Sequence, residues 1–149
     1  MTPETFLSGH LKGFGCVQGL TGRVLRRYHV TIDGAWSEAH RALHMDESWY
    51  YVGQEDQVFQ RQWVMHTDEH GVIIGHDAVQ GARFRGRQRS PTAIQVIYDR
   101  PVRLGGRSTP KQIVRFVEIS PSQTMMVGRL VRFGLPLATT HTALTRLPD

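Results

Sequence analysis

The sequence predicts an all-β fold: an antiparallel up-and-down barrel or half-barrel of about ten strands with a short N-terminal helix, forming one domain over residues 1–149. Three observations carry this. Apolar residues recur with a period of two in run after run, the signature of half-buried strands. β-Branched and aromatic residues crowd those runs. The separators between them are mostly short clusters of turn-forming residues, as hairpins between antiparallel neighbours require. The length suffices for a sizeable core without disulfide staples. With 40% apolar and 21% charged residues, the composition excludes a disordered tail or a collagen-like rod. A single cysteine excludes an internal disulfide framework and a cysteine-based zinc site.

At the start, Thr2-Pro3-Glu4 has the form of a helix N-terminus, with Thr as N-cap and Pro at the first helical position. Gly9 ends that helix within one or two turns. The strands then read Leu11–Gln18, Arg23–Asp33, Ala42–Val52, Val58–Thr67, Val72–Val79, Ala82–Gln88, Ala93–Tyr98, Ile113–Ile119, Met125–Arg132 and Leu137–Thr145. Asp33-Gly34 allows two readings, a tight turn or a bulge after which the strand runs on to Trp36. The longest separator is Leu104–Pro110. A meander of this kind removes its exposed edges most simply by closing into a barrel.

Eighteen basic residues against thirteen acidic ones give a net charge of +5, and only Lys12 and Lys111 among the basic residues are lysines. This balance favours anionic partners without specifying nucleic acid. No apolar run approaches the roughly 18 residues of a transmembrane helix. The first residues lack the basic and apolar regions of a secretory signal, and Cys16 follows no apolar stretch, so the expected location is cytoplasmic. Cys16 itself reads as a small buried apolar residue with no reactive role.

Charge on faces that otherwise read as core is the main functional signal. Arg26 stands between Val24 and Tyr28, Glu47 between Met45 and Trp49, and Arg61 between Phe59 and Trp63. An odd-numbered hairpin loop around Gly53–Asp56 puts Glu47 on the face of Arg61 and Trp63; an even-numbered one puts it on the opposite face. Isolated charges inside a barrel are prohibitively costly, so Glu47–Arg61 is the expected pair, with Asp77 and Glu118 as further acids. Two uses are open: an ion-pair network that fixes register, or a spare guanidinium that grips the carboxylate of a bound amphipath. The Arg26-x-Tyr28 pair is a small geometric echo of the head-group clamp in intracellular lipid-binding barrels.

Histidines stand at i, i+4 in His40/His44 and His66/His70, but along a strand four residues span more than about 10 Å. Solvated histidines are therefore expected, and no metal site. His76 and Asp77 are adjacent and so point to opposite faces. No nucleophile elbow or phosphate-binding glycine loop is present. Arg83, Arg85, Arg87 and Arg89 fall on one side of a strand, spaced by roughly 6.6 Å. Such a stripe suits an anionic partner, or is simply a solvated sheet face. Phe84 alone interleaves it, too little for a base-stacking platform.

Several scattered residues occur together in one order: Phe6-Leu7-Ser8-Gly9, Gly13-x-Gly15, Gly22-Arg23, Glu47 before Arg61-x-Trp63, Asp77-x-Val79-x-Gly81 and Phe133-Gly134-Leu135. In these the sequence resembles the proteobacterial domain-of-unknown-function family 3833, from about Phe6 to Arg146. The resemblance implies a small lipocalin-like barrel, and it singles out Glu47, Arg61, Trp63, Asp77 and Gly81 as a set. Many relatives are lipoproteins; their leader is absent from the start of this sequence. Phe116-Val117-Glu118 only partly matches the acidic, aromatic segment of those relatives. No activity comes with the family.

The leading expectation is a non-enzymatic protein for an apolar or amphipathic small molecule, with no cofactor. Trp49, Trp63, Tyr28, Phe59 and Met65 would line the cavity, with Glu47 and Asp77 beside them, and Arg26 and Arg61 would orient an acidic group. Two alternatives remain: a packed scaffold binding an anionic partner through the arginine stripe, and an enzyme using Glu47 or Asp77 as an interior base.

Overall fold

Ten antiparallel strands close into one barrel in a computed structural model that describes residues 2–79, 81–98 and 111–149. After α1 (Pro3–Phe6) come β1 (Gly9–Gly19), β2 (Val24–Ser37), β3 (Ala42–Tyr51), β4 (Phe59–Thr67) and β5 (Val72–Asp77). β6 (Arg83–Ser90), β7 (Ala93–Tyr98), β8 (Lys111–Ser120), β9 (Gln123–Arg132) and β10 (Leu135–Arg146) complete the sheet. Each strand pairs with its sequence neighbour, and β1 pairs with β10, so no edge remains. The period-two pattern becomes an inner and an outer wall. The Leu104–Pro110 separator lies outside the described residues.

The two ends of the barrel differ. At one end α1 lies across the bore. Thr5 ties it down, its hydroxyl accepting from the Thr2 amide and donating to the Thr2 carbonyl. Phe6 packs against Phe116 at 5.3 Å between ring centroids. Leu7, Leu11, Leu43, Ile94 and Leu144 are buried beneath it. Arg146 fastens the plug from the opposite wall, donating to the carbonyls of Thr5 and Pro121. The other end, the mouth, carries the β1–β2, β3–β4, β5–β6 and β9–β10 turns.

Gly34 is neither a turn nor a bulge. β2 runs straight through it to Ser37, with Gly34 in register with Gly9 on one side and Met45 on the other. A Cβ there would sit 1.9 Å from the Leu7 carbonyl oxygen, so the residue is glycine because the plug crosses it. Inside the bore, Tyr28 lies over Gly15 and Phe84 over Gly75, each ring occupying the space of a missing side chain.

Two local expectations are overturned. The rings of His40 and His44 stand 6.1 Å apart, because the β2–β3 turn, with Arg41 at φ +48°, folds back and shortens the strand-like span. Cys16 is half-buried on the outer wall, in register with Arg27 and His141.

Candidate binding site at the barrel mouth

Register decides which charges turn inward. Glu47 pairs with Arg61, Trp49 with Phe59 and Met45 with Trp63, which is the odd-numbered loop parity. Tyr28 faces Tyr51 and Trp63 faces Asp77. Arg26, Tyr28, Glu47, Trp49, Phe59, Arg61, Trp63, Met65 and Asp77 therefore share the inner wall, at different depths. Met65 and Trp63 are buried, and Met65 belongs to the plugged core; Tyr28, Glu47, Trp49 and Arg61 are half-buried; Arg26 and Phe59 are exposed at the rim.

Two aromatic groups form. Near the rim, Trp49 stacks on Phe59 at 4.3 Å and meets Tyr51 edge-on at 5.2 Å. The Arg26 guanidinium lies over the Tyr51 ring at 4.5 Å. Deeper, Trp63, Phe84 and Tyr98 form a triangle with centroids 5.2–5.6 Å apart, and Arg61 stands 5.7 Å over Trp63. Such cation–π contacts hold a guanidinium flat while leaving its N–H edge free to bind.

The expected Glu47–Arg61 ion pair is not closed. The two residues face each other across β3 and β4, yet among the described residues neither has an oppositely charged group within 4 Å. Burial pushes the Glu47 carboxyl above its ordinary range; the Arg61 charge and the Trp63 side chain pull it back in part, and Asp77 adds to the rise. Burial likewise raises the phenols of Tyr28 and Tyr98. The Tyr28 hydroxyl is 2.6 Å from that of Thr142, across the bore wall.

Asp77 has a different use. One carboxylate oxygen accepts from the backbone amides of Val79, at 3.0 Å, and Gln62, at 3.2 Å, so it shapes the β5–β6 turn and fastens it to β4. Its other oxygen is buried without a hydrogen-bond partner. Gly81, at φ +71°, completes that turn. Among the described residues no three metal-ligating side chains converge.

The four stripe arginines lie on the outer wall, on the opposite face of the sheet from this site. Arg83, Arg85 and Arg87 project to one side, and Arg85, Arg87 and Arg89 border a shallow depression of about 220 Å³ with Gln95 and Ile97. Phe84 points the other way, into the bore. Sequence reasoning missed Tyr51, Phe84, Tyr98 and Thr142 as parts of the inner site. Tyr51 already stood on the Glu47 face by alternation, whereas the others depend on pairings between distant strands.

The geometry has a family context. The sequence profile of a protein family of unknown function, DUF3833, matches residues 1–146. The chain belongs to that family. No curated protein matches the sequence. Among solved structures, the DUF3833 barrel is similar to the S-type phycobiliprotein lyase CPES from Guillardia theta, with a TM-score of 0.71 at 12% identity over 100% of this chain and 94% of that one. It is also similar to a protein of unknown function from the DUF3598 family of Nostoc punctiforme PCC 73102, with a TM-score of 0.60 at 12% identity. That match covers 95% of this chain and 48% of the other. At such identity the likeness is one of fold, a lipocalin-like barrel. No helix among the described residues is long and apolar enough to cross a membrane.

Proposed function

We propose that this protein is a non-enzymatic carrier that takes an amphipathic molecule with an acidic head group into the mouth half of its barrel. The observation that carries this reading is the pair of inward guanidinium groups, Arg26 and Arg61, each held against an aromatic ring and, among the described residues, neither within 4 Å of a carboxylate. A cation in a half-buried apolar setting favours an incoming anion, and a guanidinium takes a carboxylate bidentately. Trp49, Phe59 and Tyr51 supply apolar surface for the tail. Ten strands also make a wider bore than the eight at which a barrel just holds one small ligand.

Tryptophan fluorescence titration with a long-chain fatty acid and with the aromatic anion anilinonaphthalene sulfonate tests this. Both are expected to bind and to perturb Trp49; Trp49→Phe abolishes most of the signal, whereas Trp36→Phe, at the plugged end, leaves it. Arg26→Gln with Arg61→Gln weakens binding by roughly tenfold or more, the scale of one lost charged hydrogen bond. Absence of any response from either probe rejects the reading.

One observation favours a second reading. Glu47 is a carboxyl whose affinity for protons is raised by burial, against the pull of the Arg61 charge, and among the described residues no cation stands within 4 Å of it. Those are the properties of a general acid or base. If the protein is an enzyme, Glu47→Gln abolishes turnover while leaving ligand binding intact; in the carrier reading the same variant has no activity to lose.

A further inference from the structure

The mouth end carries a surface that ligand binding in the bore does not need. At each described mouth turn a large apolar residue points into water: Leu20 between β1 and β2, Val52 and Val58 between β3 and β4, Val79 between β5 and β6, and Phe133 between β9 and β10. Leu20 is 74% exposed and Phe133 87%. The turns at the plugged end are polar: Glu38–Arg41, Asp68–Gly71, Ser90–Thr92 and Pro121-Ser122. Beside the last of these, Ile119 of β8 is also exposed, so the ends differ in degree: a large apolar residue is exposed at every described mouth turn, and at one of the four plugged-end turns.

Phe133 sharpens the point. The β9–β10 hairpin has a two-residue loop, Phe133-Gly134, with φ of +52° and +74°. Positive φ at both central residues is the pattern that favours Asn-Gly. An aromatic residue there is locally unfavourable. Its contact is with the Arg132 guanidinium, 5.3 Å over the ring, and the ring itself stays in solvent.

Charge is arranged along the same axis. Arg23, Arg27, Arg83, Arg129 and Arg132 lie in the mouth half, and among the described residues the exposed acids there are Glu55 and Asp56. Glu4, Asp33, Glu38, Asp68 and Glu69 sit toward the plugged end, interspersed there with Arg41, Arg87, Arg89 and Arg146. A ring of apolar tips backed by arginines is complementary to an anionic bilayer: the tips enter the apolar layer while the guanidinium groups stay at headgroup level.

We infer that the barrel docks mouth-down on an anionic phospholipid surface, with Leu20, Val79 and Phe133 among the inserting tips. The docking rests on the outer surface alone and stands whether or not the interior binds an acid.

Vesicle co-sedimentation tests it, using phosphatidylcholine vesicles and vesicles half phosphatidylglycerol. The expected result is binding to the anionic vesicles only, lost as salt is raised. Arg23→Gln with Arg27→Gln weakens it by roughly tenfold or more, at about one headgroup-scale contact per arginine. Leu20→Ser with Phe133→Asn abolishes it, with the thermal midpoint unchanged or higher because asparagine suits the turn. Phe133→Trp shifts its emission to the blue on adding anionic vesicles. Equal binding to both vesicle types, binding that the tip variant leaves intact, or a tip variant whose only effect is to dissociate a dimer in sedimentation velocity each overturns the inference.

Discussion

Glu47 is the residue whose charge the fold tolerates least, and this has a measurable sign. Its folded-state proton affinity is raised above the ordinary value of 4.5, first by burial. Between that ordinary value and the raised one, the folded chain holds more protons than the unfolded chain, so stability falls as pH rises through the window. Glu47→Gln is therefore expected to raise the thermal midpoint at neutral pH and to flatten its dependence on pH from acid to neutral. Arg61→Met, which removes the charge that restrains Glu47, extends the sloping window to higher pH. Thermal melts across the pH range read both; a Glu47→Gln variant that melts lower at neutral pH contradicts the assignment. Asp77 predicts the opposite behaviour on removal. Asp77→Ala leaves the Gln62 and Val79 amides without their acceptor, at a cost of about 1–3 kcal/mol. Asp77→Asn keeps an acceptor and costs less, which denaturant unfolding distinguishes. Sequence pattern alone exposed Arg26, Glu47 and Arg61 as charges on core faces and offered Asp77 as a further acid. It did not separate the half-buried acid with a shifted proton affinity from the one spent on a turn, because that difference lies in backbone amides brought by β4 and by the turn itself.

At the scale of elements, all ten strands were legible, with ends within two residues except at the close of β2. The alternation Leu43, Met45, Glu47, Trp49, Tyr51 can lie on one face only if the segment is extended. β2 is longer than its pattern suggested, because Gly34 reads locally as punctuation. Its reason is tertiary: the chain leaving α1 passes over it. The same fact makes a prediction. Gly34→Ala forces a methyl group into the Leu7 backbone, which cannot yield as a side chain tip would, and dislodges the plug. A loss of about 1–3 kcal/mol is expected, typical of overpacking, with earlier protease cleavage near the N-terminus. A variant as stable and as protease-resistant as the parent shows the plug to be looser than drawn. The His40–His44 contact escaped the sequence for a related reason. Strand rise gives distances along an element, and a single residue at positive φ is enough to cancel them.

For the whole molecule, the sequence left barrel and half-barrel open, with closure the simplest way to remove bare edges; β1 does close on β10, and the ten-strand count followed from the spacing of turns. What no local pattern carried was polarity between the two ends, one plugged and of mixed charge, the other apolar-tipped and arginine-rich. That polarity emerges only when alternate turns are gathered to the same side by the meander. It gives the carrier reading a route: with the mouth on a bilayer, an amphipath passes between lipid and bore without its tail crossing water. The two proposed activities are separable by mutation. Leu20→Ser with Phe133→Asn is expected to retain binding of a soluble anionic probe in detergent-free solution while losing vesicle binding. Arg26→Gln with Arg61→Gln loses the probe first. An acid and its uncharged methyl ester, compared on parent and double variant, isolate the head-group contribution by a thermodynamic cycle.

The rings laid over Gly15 and Gly75 have an evolutionary consequence. Each pair behaves as one unit of volume divided between two positions, with all of it assigned to Tyr28 or Phe84 and none to the glycine. A methyl group gained at position 15 or 75 must be matched by a smaller residue at 28 or 84. Divergent descendants of this barrel should therefore change these sites in step, and the room left inside the bore can drift without any strand moving.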